Sequence, residues 1–267
     1  MALEGVTKPT DRALVGTVCG DSGMGKTVLA CSFPNPIVIR AEDGLQSIPE
    51  ATRPDAFPLL SGVDAVEDLK GQLTQLIRED HDYETVIIDS VTALDRMFVE
   101  HIVANDPKKP KSINQALGGY GAGLSAVAAL HSSVRKACGV LNTKKGMHII
   151  FVAHADTETM ELPDAEPYTR YSLRLNKKSV PYYVDDVDLV GFLKLETHVI
   201  GNEGERKKAI SDGTRVLVSY STAANVSKNR YGITEDLEVE EGVNPLIDLV
   251  PSMTAPPAKP AKKAAKK

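Results

Sequence analysis

The chain has few cysteines, and their arrangement excludes the sites that cysteines commonly build. Only three of the 267 residues are cysteine, namely Cys19, Cys31 and Cys138. Their number is odd, and their spacing fits neither a disulfide framework nor a zinc site. We therefore predict that all three are small buried hydrophobic residues in a reducing compartment.

Long apolar runs are absent as well. No segment approaches the roughly 20 consecutive apolar residues that a membrane-spanning helix needs. The N-terminal segment, MALEGVTKPTDR, lacks the apolar stretch of a secretory signal peptide. We therefore expect no contact with a membrane and a location in the cytoplasm, which is the host cytoplasm if the protein is encoded by a phage. The sequence also contains no internal repeat.

Charge is unevenly distributed along the chain. The formal net charge is −5, yet residues 251–267 contain five lysines and no acid, so the first 250 residues carry −10. An acidic body disfavours coating of long duplex DNA but leaves room for a local basic groove or tail. We predict one folded domain over residues 1–250. The segment 251–267 is rich in Lys, Pro and Ala, which predicts a disordered tail.

Short apolar runs alternate with helical patterns along most of the chain. The apolar runs predict buried strands over residues 13–19, 37–41, 85–89 and 147–153. Periodic or Ala- and Leu-rich segments predict helices over residues 26–33, 63–79, 93–103 and 122–141. This alternation predicts an α/β fold with a mostly parallel sheet flanked by helices. Two further strands, expected to be antiparallel, are predicted nearer the C-terminus over residues 187–199 and 214–221.

Three polar segments interrupt these elements. Residues 105–111 (NDPKKPK) are expected to form a loop. The cluster from Gly118 to Gly121 precedes the fourth predicted helix, and we expect a mobile segment there. Residues 156–169 are polar, contain two prolines and show no periodicity, so we predict a long loop.

The segment between the first strand and the first helix fits the pattern G-x-x-x-x-G-K-[ST]. It consists of Gly20, Asp21, Ser22, Gly23, Met24, Gly25, Lys26 and Thr27. Glycines at these places let backbone amides turn inward around phosphates, and the following helix presents its positive end to them. Lys26 is predicted to reach the β- and γ-phosphates, and the Thr27 hydroxyl to ligate Mg²⁺. The pattern therefore predicts a site for ATP and Mg²⁺.

Acidic residues lie at the ends of two predicted strands. Asp89 ends the run TVIID, where an acid can hold Mg²⁺ through water. Ser90 either assists it or caps the next helix. Glu42 lies at the end of the second strand, and its carboxylate could polarise the water that attacks the γ-phosphate. Asp43 is an alternative candidate for that role.

His154 ends the fourth predicted strand, in the run IIFVAHAD. A polar residue there faces the crevice outside the carboxyl ends of the strands. His154 could sense the γ-phosphate and pass its state to the predicted loop 156–169, and it is a candidate catalytic residue together with Glu42 and Lys26. The alternative is a histidine with a structural role only.

Basic residues cluster in three places, each of which is either a solvated charged face or a phosphate-binding surface. The clusters are Lys108, Lys109 and Lys111; Arg170, Arg174, Lys177 and Lys178; and Lys228, Asn229 and Arg230 beside Tyr231. The phosphate could belong to nucleic acid or to ATP in a neighbouring subunit. The candidate residues for such contacts are Lys177, Lys178, Lys228 and Arg230.

The order of the P-loop, IVIRAEDGL, TVIIDS and IIFVAHAD resembles the ATPase core of RecA-like recombinases. The later segments DDVDLVGFLK and SKNRYGI resemble shorter phage-encoded members, the Sak-four type of single-strand annealing ATPases. The resemblance covers residues 13–233. It implies that Glu42, which follows an alanine, is the catalytic carboxylate. It also implies that His154 precedes a mobile DNA-binding loop.

The resemblance implies a RecA-like P-loop ATPase that uses ATP and Mg²⁺, binds single-stranded DNA and promotes annealing or strand exchange in recombination. The expected partners are single-stranded DNA, further copies of the chain in a homo-oligomer, and a single-strand-binding protein. Two rival functions remain. One is a small-molecule kinase, although such enzymes usually have an Arg-rich lid and residues 156–169 hold more acids than arginines. The other is a non-catalytic, ATP-gated scaffold that recruits replication or recombination partners.

Overall fold

The structure is a computed structural model that describes residue 6 and residues 11–164, 166–200, 208–211 and 213–254. Its strands are β1 (Val15–Gly20), β2 (Pro36–Arg40), β3 (Asp55–Ala56), β4 (Thr85–Asp89), β5 (His148–Met160), β6 (Tyr168–Leu173), β7 (Leu189–Leu195), β8 (His198–Ile200), β9 (Lys208–Ile210), β10 (Arg215–Val218), β11 (Lys228–Asn229) and β12 (Leu237–Glu238). Its α-helices are α1 (Lys26–Cys31), α2 (Ala65–Arg78), α3 (Val91–Asn105), α4 (Ala122–Val140), α5 (Pro181–Val184) and α6 (Pro251–Thr254).

One sheet organises most of these elements, in the order β12-β10-β7-β1-β5-β4-β2-β3. The six strands from β7 to β3 are parallel to one another, while β10 and β11 pair antiparallel with β7. The predicted α/β fold with a mostly parallel sheet and antiparallel strands near the C-terminus is therefore confirmed. One expected direction was wrong, because β7 runs parallel to β1 rather than antiparallel. The segment between β6 and β7, which includes α5, returns the chain to the end of the sheet at which β1 begins, so β7 runs parallel to β1.

Both faces of the sheet are covered at its centre, which explains why β1, β4 and the first part of β5 are buried and mostly apolar. On one face, Ile149 and Phe151 of β5 pack with residues of α2, α3 and α4, such as Phe98. On the other face, Ile150 and Val152 pack with residues of α1 and of the C-terminal segment. Successive strand residues point to opposite faces, so burial on both sides removes the alternation of polar and apolar residues.

The strand register brings the predicted site residues to one edge. Gly20 at the end of β1 pairs with His154 of β5, and Arg40 at the end of β2 pairs with Asp89 at the end of β4. Since these strands are parallel, their carboxyl ends lie side by side. The P-loop, Asp89, His154 and the segment after β2 that contains Glu42 therefore meet at this edge.

The predicted loop over residues 156–169 is mostly a β-hairpin. Here β5 continues past the sheet to Met160, and β6 returns from Tyr168 with Glu158 opposite Arg170. An ion pair of 2.8 Å joins Glu158 and Arg170. The prediction of a loop was wrong because the hairpin projects beyond the sheet, where neither face needs an apolar row. Only residues 161–167 connect the two strands.

Several element boundaries differ from the predicted ones. Helix α1 ends at Cys31, two residues earlier than predicted, and α4 passes into a π-helical turn at Leu141–Lys145. The first four residues of the predicted disordered tail form α6, while residues 255–267 lie outside the described residues. The described part of the chain contains no helix long and apolar enough to span a membrane.

The three cysteines are free, as predicted. Cys19 and Cys138 are buried, and Cys31 is partly buried. Burial raises the pKa of each thiol to about 12. The thiols are therefore neutral near pH 7 and behave as small hydrophobic groups.

Candidate nucleotide-binding site

The loop from Gly20 to Thr27 has a backbone that favours glycine at three places, one of which is Gly23 with a left-handed φ of 81°. A Cβ atom on Gly20 would lie 2.4 Å from the carbonyl oxygen of Leu193. Gly25 has a left-handed φ of 89° and stands directly before α1. These constraints let the loop wrap tightly between β1 and α1, the geometry in which backbone amides can surround a phosphate.

Lys26 lies inside this loop and is only 6% exposed. Its Nζ atom donates a hydrogen bond of 2.8 Å to the carbonyl oxygen of Asp21. Burial lowers the pKa of Lys26, and the charges of Glu42 and Asp89 act against that shift. The ammonium is therefore held within the loop, where it can neutralise a bound phosphate.

Thr27 and Asp89 lie together at the base of the loop. Thr27 Oγ1 donates a hydrogen bond of 2.7 Å to Asp89 Oδ2, whereas buried Asp89 Oδ1 has no hydrogen-bond partner. Burial raises the pKa of Asp89 to about 6. A Cβ atom on Gly44 would lie 3.3 Å from both Thr27 Oγ1 and Asp89 Oδ2, so the absence of a side chain keeps this corner open.

These features fit a Mg²⁺ ion. The ion prefers oxygen ligands and keeps several of its water molecules, so a hydroxyl, one carboxylate and phosphate oxygens suffice. The unpartnered oxygen of Asp89 supplies an acceptor for a water molecule on such an ion. No group of three or more His, Cys, Asp or Glu side chains that could hold a metal occurs among the described residues. The predicted metal residues, Thr27 and Asp89, offer a hydroxyl and a carboxylate oxygen, which fit an ion whose other ligands are phosphate oxygens and water.

Glu42 and His154 form the opposite side of the site. His154 Nε2 lies 3.1 Å from Glu42 Oε1, and His154 Nδ1 lies 3.3 Å from Ser22 Oγ in the P-loop. The hydrogen bond with His154 lowers the pKa of Glu42, partly offset by burial and reinforced by Ser90 and Arg96. An ionised carboxylate in this place can accept a proton from water. Asp43 instead pairs with Arg40.

Helix α3 and its cap contribute further residues, of which the sequence analysis identified Ser90 but neither Thr92 nor Arg96. Ser90 caps α3 by accepting a hydrogen bond of 3.1 Å from the Ala93 amide. Thr92 Oγ1 accepts a hydrogen bond of 2.9 Å from the His154 amide, and Arg96 lies 3.9 Å from Glu42 Oε2. The sequence could have predicted both, because Thr92 and Arg96 are four residues apart and therefore share one face of a helix that starts beside Asp89.

A cavity of about 420 Å³ opens beside the P-loop. It is lined by Ser22, Glu42, Thr92, Asp95, Arg96, His154, Asp156, Arg174 and Leu175. Two of its residues, Arg96 and Arg174, are cationic, and Glu42 is held ionised. Because the cavity joins the P-loop to the base of the hairpin, it is the place where the far end of a bound triphosphate and an attacking water can meet.

Lys177 and Lys178 lie outside this cavity, near the start of α4. Lys178 Nζ donates hydrogen bonds to Gly121 O at 3.3 Å and to Ser125 Oγ at 2.8 Å. Both lysines are exposed. The structure thus places them next to the Gly118–Gly121 segment rather than beside the P-loop of their own chain.

Lys228 and Arg230 lie at the opposite end of the sheet from the P-loop. Lys228 Nζ donates to Asp185 O at 2.8 Å, and Arg230 lies 3.3 Å from Asp188. The Asp188 amide bonds to Val15, the first residue of β1, whereas the P-loop follows the last residue of that strand. A strand of this length spans roughly 20 Å. The structure therefore does not bring these two residues to the site of their own chain.

Arg215 is a further cation that the sequence analysis missed. A Cβ atom on Gly25 would lie 2.8 Å from Arg215 Nη1, so the guanidinium lies directly against the P-loop. No ion pair to Arg215 occurs within the part of the chain that the structure describes. An arginine at the start of a predicted strand carries no sequence signal of its own, and only the pairing of β10 with β7 brings it here.

Comparison with known proteins agrees with this geometry. A family model described as an AAA domain, AAA_24, matches residues 12–231, which include the P-loop, Glu42, Asp89 and His154. A search of curated proteins gave no match. Membership of an AAA family implies that the chain binds nucleotide, usually with Mg²⁺. The chain therefore belongs to the AAA_24 family and has the fold of a P-loop ATPase.

Proposed function

We propose that the protein is a RecA-like ATPase, of the Sak-four type, that hydrolyses ATP, binds single-stranded DNA and promotes annealing or strand exchange. The position of His154 carries this proposal. Its side chain contacts the P-loop through Ser22 and the candidate base Glu42, while its backbone leads directly into the β5–β6 hairpin. His154 can therefore respond to a change at the γ-phosphate and transmit it to the hairpin, whose pairing begins at the next residue.

The proposed hydrolysis uses groups already placed at the site. Lys26 and the loop amides bind the β- and γ-phosphates, and Glu42 accepts a proton from water as the water oxygen bonds to the γ-phosphorus. The bond from that phosphorus to the bridging oxygen breaks, and ADP and inorganic phosphate leave. Thr27 and, through water, Asp89 would hold a Mg²⁺ ion, which would supply positive charge to the phosphates. His154 keeps Glu42 ionised and in place.

The proposed DNA surface is the lysine loop, defined as residues 106–121. Lys108, Lys109 and Lys111 are exposed, and Tyr120 projects fully into solvent. Buried Asp106 anchors the loop by accepting hydrogen bonds from the Lys108 and Leu117 amides. Cations that follow a phosphate backbone beside an exposed aromatic ring are the usual elements of a surface for single strands.

Lys177 and Lys178 extend the same surface and connect it to the hairpin, because they follow its returning strand, β6. Lys178 contacts Gly121, the last residue of the lysine loop, so the two basic segments adjoin. Although the first 250 residues are acidic overall, these five exposed lysines form a locally basic surface. Salt-sensitive binding of a single strand at this surface is the expected consequence.

The positions of Lys228 and Arg230 support an oligomeric active form. Because they lie at the far end of β1, any contact that they make with ATP would be with ATP bound to another subunit. We therefore propose a homo-oligomer in which this end of one subunit faces the P-loop end of the next. A single-strand-binding protein is a further proposed partner.

Binding of a labelled oligonucleotide at several salt concentrations tests the DNA surface. The variant with Lys108, Lys109 and Lys111 replaced by alanine should reduce the slope of log affinity against log salt by about 2, since each phosphate contact on a single strand contributes about 0.7. The matched control replaces Lys70, Lys136 and Lys144, which are exposed elsewhere, and changes the net charge equally.

The outcomes separate the candidate functions. A normal slope in the control variant and a reduced slope in the lysine-loop variant support the proposal. Absence of salt-sensitive binding by the wild-type protein, with or without ATP, overturns the DNA-binding part. Transfer of phosphate to a nucleotide or metabolite would instead identify a small-molecule kinase. Partner binding that needs ATP but survives Glu42→Gln would favour a scaffold.

A further inference from the structure

Arg174 occupies a fixed position at the base of the hairpin. Its amide donates a hydrogen bond of 2.8 Å to the His154 carbonyl oxygen, one position beyond the pairing of Ala155 with Leu173. Its side chain lines the same cavity as Ser22, Glu42 and His154. The backbone of Arg174 is therefore tied to the residue that contacts both the P-loop and the candidate base.

The charge of Arg174 has no carboxylate partner. No ion pair to Arg174 is found among the residues that the structure describes. By contrast Arg170, four residues earlier on β6, pairs with Glu158 at 2.8 Å. Burial raises the pKa of Cys19, and the charge of Arg174 is among those that act against this rise, so its guanidinium lies near the end of β1. An unpaired guanidinium beside a phosphate-binding loop is suited to an anionic ligand.

We propose that Arg174 contacts the γ-phosphate of ATP bound in its own subunit and stabilises the charge that the phosphoryl oxygens carry during hydrolysis. The P-loop fixes the β- and γ-phosphates, and Glu42 marks the side from which water attacks. Arg174 lines the cavity between them, on the hairpin side. A guanidinium there can donate two hydrogen bonds to phosphoryl oxygens while the bond to the leaving ADP breaks.

This assignment gives the hairpin a direct link to the nucleotide. His154 directly precedes the outgoing strand of the hairpin and Arg174 directly follows the returning strand, so both residues at the base of the hairpin lie at the site. The inference depends on ATP hydrolysis at the P-loop but not on DNA binding. A protein that hydrolyses ATP and ignores DNA would leave it intact.

Binding of ADP with aluminium fluoride and Mg²⁺, which mimics the transferring phosphoryl group, tests the contact. Arg174→Ala should weaken this binding by about 100-fold while the affinity for ADP alone stays within about threefold. Hydrolysis should fall by about 1,000-fold, the lower range for removal of a catalytic arginine. Arg174→Lys should recover only part of the loss, because an ammonium cannot donate in the same two directions.

Arg170→Ala is the matched control, since it removes an equal charge four residues away, at a residue that does not line the cavity. It should leave both affinities within about threefold of wild type. If Arg174→Ala weakens ADP and ADP with aluminium fluoride equally, or if Arg170→Ala has the same effect as Arg174→Ala, the γ-phosphate contact is overturned.

Mixing two inactive variants tests whether Arg174 acts within its own subunit. One variant is Arg174→Ala, which keeps an intact P-loop, and the other is Lys26→Ala, which keeps Arg174. If Arg174 acts on its own subunit's ATP, the mixture should be no more active than either variant alone. Restored hydrolysis in the mixture would show that a neighbour supplies the arginine and would overturn the proposal.

Discussion

His154 Nε2 lies 3.1 Å from Glu42 Oε1, and this contact joins β5, at the last residue that pairs with β1, to the segment that follows β2. The other ring nitrogen of His154 lies 3.3 Å from the P-loop hydroxyl of Ser22. A single imidazole thus contacts the P-loop and the carboxylate that we propose as the activator of water. The pKa of Glu42 is lowered chiefly by this hydrogen bond, which keeps the carboxylate ionised near neutral pH.

Glu42→Gln should abolish most hydrolysis without weakening the binding of nucleotide. The amide keeps the shape of the side chain but cannot accept a proton, so the single-turnover rate should fall by a factor of about 100 to 10,000. The affinity for Mg²⁺–ATP, measured by calorimetry, should stay within about threefold. Asp43→Asn is the matched control, because Asp43 pairs with Arg40 and Gln46 rather than with His154. An equal loss of rate in both variants would contradict the assignment of Glu42.

His154→Ala should uncouple nucleotide from DNA. Without the imidazole, Ser22 and Glu42 lose their shared contact with the residue at the start of the hairpin, so the dependence of DNA affinity on the nucleotide should weaken. The measurement compares oligonucleotide affinity with a non-hydrolysable ATP analogue and with ADP, so it is independent of the hydrolysis rate. A wild-type ratio retained in His154→Ala would refute the coupling role. His101→Ala on α3 is the control, since His101 contacts only Asn105 near the helix end.

Asp89→Asn should stabilise the protein without nucleotide and weaken its use of Mg²⁺. The pKa of Asp89 is about 6 in the folded chain against 3.8 for an ordinary aspartate. The folded state therefore holds this proton more tightly, and ionisation of Asp89 costs stability as the pH rises from about 4 to about 6. At pH 7 the neutral amide should raise the free energy of unfolding by about 3 kcal/mol at most.

The same group should make Mg²⁺–ATP binding depend on pH. Affinity should increase as the pH rises through about 6, because the ionised carboxylate attracts the ion and accepts stronger hydrogen bonds from its water molecules than the neutral acid does. Calorimetric titrations between pH 5 and pH 8 should show this increase in the wild type and a flat profile in Asp89→Asn. A wild-type profile that is equally flat would contradict the metal role of Asp89.

His148 should make the fold sensitive to mild acid. Burial lowers the pKa of His148 to about 4, and its Nδ1 atom accepts a hydrogen bond of 3.0 Å from the Leu14 amide. The unfolded chain, with a pKa of 6.5, binds the proton more tightly. Stability from this group is therefore complete above about pH 6.5 and is lost as the pH falls towards 4, by about 3 kcal/mol in all.

Denaturant unfolding of His148→Asn should isolate this contribution. The asparagine amide oxygen can accept the hydrogen bond from Leu14, so the variant keeps the contact but does not titrate. The difference in unfolding free energy between wild type and variant should change across pH 4 to 6.5, with wild type losing more stability in acid. A constant difference would show that His148 does not titrate on unfolding.

Much of the site could be predicted because it depends on local sequence. The P-loop pattern, the apolar runs that become β1, β4 and β5, and the polar residues at their ends are adjacent in the chain. Once the strands are parallel, their carboxyl ends must meet, so Glu42, Asp89 and His154 gather beside Lys26 without further information.

What could not be predicted depends on pairing between distant segments. The hairpin escaped because β5 changes partner at His154, from buried parallel neighbours to an exposed antiparallel one, and its polar residues lose the strand pattern. Arg174 and Arg215 come to the P-loop only through the pairing of β6 with β5 and of β10 with β7. The placement of Lys228 and Arg230 far from their own P-loop likewise follows from the register of β11.

The rate of ATP hydrolysis with and without saturating single-stranded DNA tests the central claim most directly. If the Glu42–His154 contact links the γ-phosphate to the hairpin, DNA should accelerate hydrolysis in the wild type, and His154→Ala should lose that acceleration. A wild-type rate that is the same with and without DNA, under conditions where calorimetry shows Mg²⁺–ATP bound, would contradict the account.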